Sequence, residues 1–247
     1  MANTPASQPL TPEQEIVALK QQLKQAQRLS ALGDLVGTTT HEFNNLLMTI
    51  LNYARMGLRH KDDETREKSF NKILSASEKA ARITNNILGM ARNRSDEPVP
   101  TDLSRLIEDA LILLEREMNK YRVQVDFETA SVPQVVAVGN EIQQVLMNLL
   151  TNARQAMSAG GEIRIRLSHD VATNMVDLMI RDNGSGIPPE KLPRIFDPYF
   201  STKDGPDESG KGGTGLGLSA CRDIVQSHHG RIRVQSTVGK GTAFTIK

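Results

Sequence analysis

Apolar residues in the N-terminal part of the chain recur at helical spacing. Ile16, Leu19, Leu23 and Ala26 follow one another at three, four and three, the repeat of a coiled-coil seam. The spacing then slips through Leu29, Leu32 and Leu35/Val36, which alters a supercoil locally. Thr11-Pro12-Glu13-Gln14 opens the run, with Thr as N-cap, Pro at the first helical position and Gln where a capping box needs it. The pattern predicts a helix to about Leu58, much longer than a typical globular helix, which favours a coiled coil or bundle. RHKDDE (59–64) is polar and can turn the chain. A second helix is predicted over about 65–92, with Phe70, Ile73, Leu74, Ser77, Ala81, Thr84, Ile87, Leu88 and Ala91 on one stripe. Such a hairpin cannot bury both stripes alone. Two hairpins paired as a four-helix bundle can, so a homodimer is expected.

SDEPVPTD (95–102) carries two prolines and breaks the helical pattern, as a linker does. A helix is predicted next, over about 102–120. Strand-like runs follow: RVQVDFE (122–128), EIRIRLS (162–168), MVDLMIRD (175–182), RIRVQST (231–237) and TAFTIK (242–247). Helices at about 140–158 and 215–229 interrupt them. Order and lengths give a mixed sheet with helices on one face, an α/β sandwich. The expected fold class is therefore α plus α/β. Its parts are a disordered tail (1–9), a coiled coil and helical hairpin (10–94), a linker (95–101) and an α/β domain (102–247).

Composition narrows the function classes. Lys plus Arg number 30 and Asp plus Glu 29. Such a balance does not suit a nucleic-acid binder whose affinity rests on a large positive excess, and no nucleic-acid partner is expected. The single cysteine, Cys221, excludes an internal disulfide framework, and its neighbours suggest packing. No apolar run approaches the ~20 residues of a membrane span, and the N-terminus does not read as a signal peptide. The expectation is a soluble, cytoplasmic chain without a membrane segment, which could still be the cytosolic part of a longer membrane protein.

His41 stands in TTTHEFNNLL (38–47). At ~100° per residue, Leu32 and Ile50 lie on the opposite side of its helix, and Phe43 and Ala54 close to them. His41 should face water. Gly37, Thr38 and Asn45 flank it and leave room for a large ligand. The plain alternative is a surface histidine. A metal ligand is disfavoured, because the position four residues on is Asn45.

Three stretches of the second half carry chemistry. In NEIQQVLMNLLTNARQAM (140–157), Ile142, Val145, Leu146, Leu149, Leu150 and Ala153 form a buried face. Asn148 and Asn152 share a neighbouring ridge, where amide oxygens suit hydrated Mg²⁺ and phosphates; two polar surface residues are the alternative. In RDNGSGIPPEKL (181–192) a strand ends at Asp182, followed by Gly184, Gly186 and Ile187. The glycines allow a flat ligand close to the backbone, and the carboxylate can accept from an exocyclic amine such as that of adenine. A simple turn is the alternative. In SGKGGTGLGLSACRDIV (209–225), Gly212, Gly213, Thr214, Gly215, Leu216, Gly217 and Leu218 run straight into a helix. Free amides and the helix N-terminus suit phosphates. No Gly-Lys-Ser/Thr closes the loop as in a P-loop, and no strand precedes it as in a dinucleotide fingerprint.

In this order the stretches resemble the two-component sensor histidine kinases, from about residue 28 to the C-terminus. HEFNN is similar to the phosphoacceptor box. NLLTNARQAM is similar to the N box, DNGSGI to the G1 box, FDPYFSTK to the F box, GGTGLGL to the G2 box and GKGT (239–242) to the G3 box. HEFNN and the F box look most like the nitrogen-regulator branch. The resemblance implies an ATP-dependent autokinase that uses Mg²⁺ and passes phosphate to an aspartate of a response-regulator receiver domain. It implies His41 as nucleophile, Glu42 as general base and Asn45 as the residue aligning water when phosphate is removed from the partner. Asn152 would hold Mg²⁺ with Asn148 beside it, and Asp182 would read the adenine amine. Lys203 would meet the terminal phosphates from a lid over about 201–213, the amides of 212–217 would cradle phosphate, and Thr242 would line the base pocket. The nucleotide domain would swing to His41 about the linker and the slipped coiled coil.

Many relatives carry Lys three positions after the second N-box Asn; here that residue is Gln155, beside Arg154. Phosphate neutralisation would then lean on Lys203 and Arg154. An upstream sensor domain or a sensory partner would supply the signal. A phosphatase or scaffold that binds ATP without autophosphorylating is the alternative, and an ATPase of the gyrase or mismatch-repair kind a third, disfavoured by the His hairpin. His228 and His229 end a helix before Gly230, where imidazoles suit the helix dipole.

Overall fold

A computed structural model of the chain describes residue 11 and residues 43–91, 97–158, 160–201 and 215–247, with backbone alone over 85–91. The expected tail (1–9) and the seam from Ile16 to Ala26 lie outside the described residues. So do His41, Glu42, Lys203, Gly212, Gly213 and Thr214.

Helix α1 is described over 43–59, and α2 runs from Asp63 to Ala91. Asp62 starts α2 by accepting the N–H of Thr65 at 2.8 Å. Hydrogen bonding to Thr65 holds its carboxyl below the usual range, as suits an N-cap. The helices approach closely at Gly57, where a Cβ would stand 3.4 Å from the Cβ of Ser69. Ser69 is buried, and its hydroxyl donates to the Thr65 carbonyl.

Two faces of the hairpin behave differently. Leu46, Ala76, Ala80 and Ile83 are buried. Phe70 and Leu74, from the stripe assigned to the bundle core, are 60% and 59% exposed in the single chain. Phe43, Leu47 and Leu51 of α1 are exposed as well. A stripe of this kind needs a partner surface.

The second half is an α/β sandwich. Strand β2 (Val123–Thr129) pairs parallel with β4 (Gly161–Asp170). The other neighbours, β5 (Met175–Asp182), β7 (Gly241–Ile246) and β6 (Ile232–Thr237), are antiparallel, in the order β2-β4-β5-β7-β6. Period-two patterning sets the faces. In β4, Ile163, Ile165 and Leu167 point inward while Arg164 and Arg166 stand outside. Helices α3 (Leu103–Lys120), α4 (Gly139–Gln155) and α5 (Gly217–Ser227) bring their apolar faces into the same core.

Two short strands lie outside the expected set. β1 (Val99–Thr101) pairs antiparallel with β3 (Val135–Ala137). The last three residues of the expected linker are therefore paired to the α/β domain. Pro100 is tolerated because a two-stranded ribbon is all edge.

Helix α4 is buried on more than the expected face. Val145, Leu146, Leu149, Leu150 and Ala153 are buried as expected, Ile142 only partly, and Gln143, Gln144 and Met147 are buried too. The reason is its position between α3 and α5, with α2 also in contact. The buried hairpin residues join the same contiguous core, and Lys79 of α2 pairs with Glu115 of α3.

His228 fastens α5 to α4. Its Nε2 accepts the N–H of Val138, the N-cap of α4, at 2.9 Å, and its Nδ1 donates to the Ile224 carbonyl at 2.8 Å. An acceptor at one nitrogen and a donor at the other fix a neutral tautomer. Both nitrogens are engaged, so the residue's role is structural.

Candidate functional site

β5 ends at Asp182, only 4% exposed. Its Oδ1 accepts the N–H of Gly184 at 2.9 Å and that of Thr242 at 3.2 Å. Burial pushes the carboxyl above its ordinary value, against the pull of those two bonds and of Arg181. Both bonds use one oxygen, and Oδ2 retains its capacity to accept a hydrogen bond.

The glycines of the G1 and G3 stretches make this geometry possible. Gly186 has φ +71°, and a Cβ there would stand 2.2 Å from the Thr237 carbonyl oxygen. Gly241 has φ +100°, and its Cβ would stand 2.0 Å from the carbonyl oxygen of Asp182. Side chains at these points would push the loop after β5 away from the β6–β7 hairpin.

Ser236 completes the junction, and the sequence reading missed it. Its Oγ accepts the N–H of Ile187 at 2.7 Å and donates to the Gly241 carbonyl at 3.0 Å. It lies 2.9 Å from the Thr242 hydroxyl. A lone serine in a strand carries no local signal; only the register Ser236↔Thr242 brings the two together.

Asn148 and Asn152 lie one turn apart on α4, both half-buried. Asn148 Nδ2 donates to the Gly217 carbonyl at 3.3 Å, so the ridge runs beside the N-terminus of α5. Leu216 is the N-cap of α5. Its carbonyl accepts from Ala220 N and Ser219 Oγ. Gly215 packs on the F-box backbone, where a Cβ would come 2.4 Å from the Tyr199 carbonyl carbon. Leu218 packs against the core. The F box itself is held by its rings: Phe196 meets Phe244 edge-on at 6.4 Å, and Arg194 lies over Phe200.

Arg154 corrects an expectation. It is buried, its Nη2 lies 3.2 Å from Glu117 Oε2, and its guanidinium stacks 4.6 Å over the Tyr121 ring. The α4 turn that carries it faces α3, so it is committed to packing and not to phosphate. Gln155 is the last residue of α4. Asn45 is exposed on α1. Cys221 is fully buried, and burial pushes its thiol up to about 12, which fits the packing role.

Two family models match separate parts of the chain. Residues 31–96 match the His Kinase A (phospho-acceptor) domain family. Residues 137–247 match the histidine kinase-, DNA gyrase B- and HSP90-like ATPase family. The sensor kinase CckA of Brucella abortus (strain 2308) is 34% identical over 244 residues, covering 93% of this chain and 25% of that protein. The catalytic domain of histidine kinase ThkA is 32% identical with a TM-score of 0.53, over 61% of this chain and 93% of that one. Histidine kinase ThkA in complex with response regulator protein TrrA is 29% identical with a TM-score of 0.51, over 97% of this chain and 67% of that one. The chain spans only 25% to 53% of the length of curated relatives such as CckA and sporulation kinase B of Bacillus subtilis (strain 168). These likenesses support the family and do not single out the nitrogen-regulator branch. With a phosphoacceptor hairpin joined to an ATPase sandwich, the chain belongs to the two-component sensor histidine kinases.

Proposed function

We propose that the chain is an ATP-dependent protein-histidine autokinase that phosphorylates His41. The observation that carries this reading is the buried Asp182 carboxylate, pinned through one oxygen by two backbone N–H groups. A buried acceptor of this kind is costly unless a ligand donor meets it. The exocyclic amine of adenine is such a donor. Gly184, Gly186 and Ile187 form the wall against the base, and Thr242 lines its far side.

The phosphates lie toward the α4 ridge and the N-terminus of α5. The amides of 212–217 cradle them, and Lys203 neutralises the terminal group. Amide oxygens of Asn152 and Asn148 suit Mg²⁺, which takes oxygen ligands and keeps several waters; bound there, the ion neutralises phosphate charge. Transfer is then positioning and charge neutralisation. One ring nitrogen of His41 attacks the γ-phosphorus. A P–N bond forms as the bond to the β–γ bridging oxygen breaks, and ADP leaves. Glu42 accepts the proton from the other ring nitrogen.

The phosphoryl group passes onward to an aspartate of a response-regulator receiver domain, as the pairing of ThkA with a response regulator supports. In a separate hydrolytic reaction, Asn45 aligns the water that removes phosphate from that partner. Two chains associate through the exposed stripe of Phe43, Leu47, Leu51, Phe70 and Leu74 to form the four-helix bundle. A sensor domain or sensory partner sets the activity. The work is cytoplasmic, where ATP and receiver domains meet; no described helix is long and apolar enough to cross a membrane.

The test is incubation with Mg²⁺ and γ-labelled ATP beside His41→Ala. Acid-labile, alkali-stable label in the parent and none in the variant is expected. Nucleotide binding without label would favour the phosphatase or scaffold instead.

A further inference from the structure

The Ser236 hydroxyl sits at a junction with more neighbours than protons. Ile187 can only donate to it through N–H, and the Gly241 carbonyl can only accept from it. A serine hydroxyl has one proton and two acceptor sites. With that proton on Gly241, the 2.9 Å contact to Thr242 Oγ1 requires Thr242 to be the donor. Ser236 is then saturated, with one bond donated and two accepted. Thr242 is fixed as well. Its backbone N–H lies on Asp182 Oδ1, and its hydroxyl proton lies on Ser236. What Thr242 Oγ1 has left is lone pairs.

We infer that Ser236 is a specificity-positioning residue of the nucleotide-base site. It holds the Thr242 hydroxyl as an acceptor, so that Thr242 and Asp182 together select a 6-amino purine over a 6-oxo purine. This rests on the proposed placement of adenine against Asp182 and Thr242. A 6-amino group brings two protons to two acceptors. A 6-oxo group brings lone pairs against lone pairs, and buried acceptors left unmatched are heavily penalised. Ser236 touches no ligand in this account; it acts through Thr242.

The test compares the dissociation constants of Mg-ATP and Mg-ITP, measured under non-turnover conditions on the full chain. The two nucleotides differ at C6 and in the N1 proton that accompanies it. Wild type should favour ATP strongly. In Ser236→Ala the Thr242 hydroxyl is released and can turn its proton toward a 6-oxo group. The ATP/ITP preference should then fall roughly tenfold, whatever common loss the orphaned Ile187 amide adds to both. Ser236→Thr should keep the preference. Thr242→Val should lower it, and Ser236→Ala should add nothing on that background. If Ser236→Ala proves unstable, Ser236→Cys, whose sulfur is only a weak acceptor for the Thr242 proton, should lower the preference in its place, and an intact preference there would overturn the positioning role. Equal weakening of both nucleotides in Ser236→Ala, with the preference intact, would overturn the positioning role alone. A wild type that does not discriminate, or binds neither nucleotide, would overturn the base-site reading and this inference with it.

Discussion

At the scale of single residues, the site runs on a carboxylate that folding does not welcome. The folded pKa of Asp182 is raised, chiefly by burial, so ionising it costs stability. That cost appears as pH rises from the ordinary carboxylate range, about 4, through the raised value, and it persists at neutral pH. Asp182→Asn keeps a carbonyl oxygen for Gly184 and Thr242 but carries no charge. Its melting temperature should exceed the parent's at neutral pH, and the difference should vanish in acid. Its affinity for Mg-ADP should fall about 10- to 100-fold, as expected when a charged acceptor is lost. Calorimetry across pH reads the first effect and titration the second. Arg154 behaves in the opposite way. Arg154→Ala removes the ion pair with Glu117 and the stacking on Tyr121 and should cost about 1–3 kcal/mol of stability, while the Mg-ADP dissociation constant stays within about twofold. Sequence placed Asp182 correctly at a strand end because the Asp-Asn-Gly run announces a tight turn. Arg154 was expected at phosphate from its place in the N-box resemblance, and a place in a motif does not say which neighbouring helix that turn meets.

At the scale of elements, periodicity was enough for the long elements of the α/β sandwich. The helix expected over 102–120 is Leu103–Lys120, and the strand expected over 175–182 is Met175–Asp182. β1 and β3 were not legible, since three residues hold too little alternation to read and Pro100 argues locally against a strand. Side-chain junctions between elements escaped for a different reason. Ser236 and His228 act across register and across helices, and nothing beside them in sequence marks the partner. His228→Ala leaves the Val138 N–H without its acceptor at the start of α4. It should cost about 1–2 kcal/mol, lower the melting temperature by about 2–8 °C and speed amide exchange in the first turn of α4. Unchanged exchange there would contradict the bolt between α5 and α4.

At the scale of the molecule, the hairpin divides its apolar residues between two neighbours. Ala76, Ala80 and Ile83 join the core shared with the sandwich, and the Lys79–Glu115 pair flanks that contact. Phe70 and Leu74 point elsewhere and remain exposed. The sequence stripe held Phe70 and Leu74 and left out Ala76, Ala80 and Ile83, because spacing along one helix picks out one apolar face and does not announce a second partner on another. Leu74→Asp places a charge on the open side only. Light scattering should show a dimer for the parent and a monomer for the variant, with Mg-ADP affinity retained. A variant that stays dimeric would move the interface off this stripe.

The central claim is that a nucleotide held at Asp182 delivers its γ-phosphoryl to His41. The most direct measurement is peptide mass mapping of the chain after incubation with Mg-ATP, worked up at neutral pH so that phosphoramidates survive. The account predicts one phosphate on the peptide containing His41, absent from Asp182→Asn. Phosphate on a different residue, or none on a chain that binds Mg-ATP and forms its dimer, would contradict it.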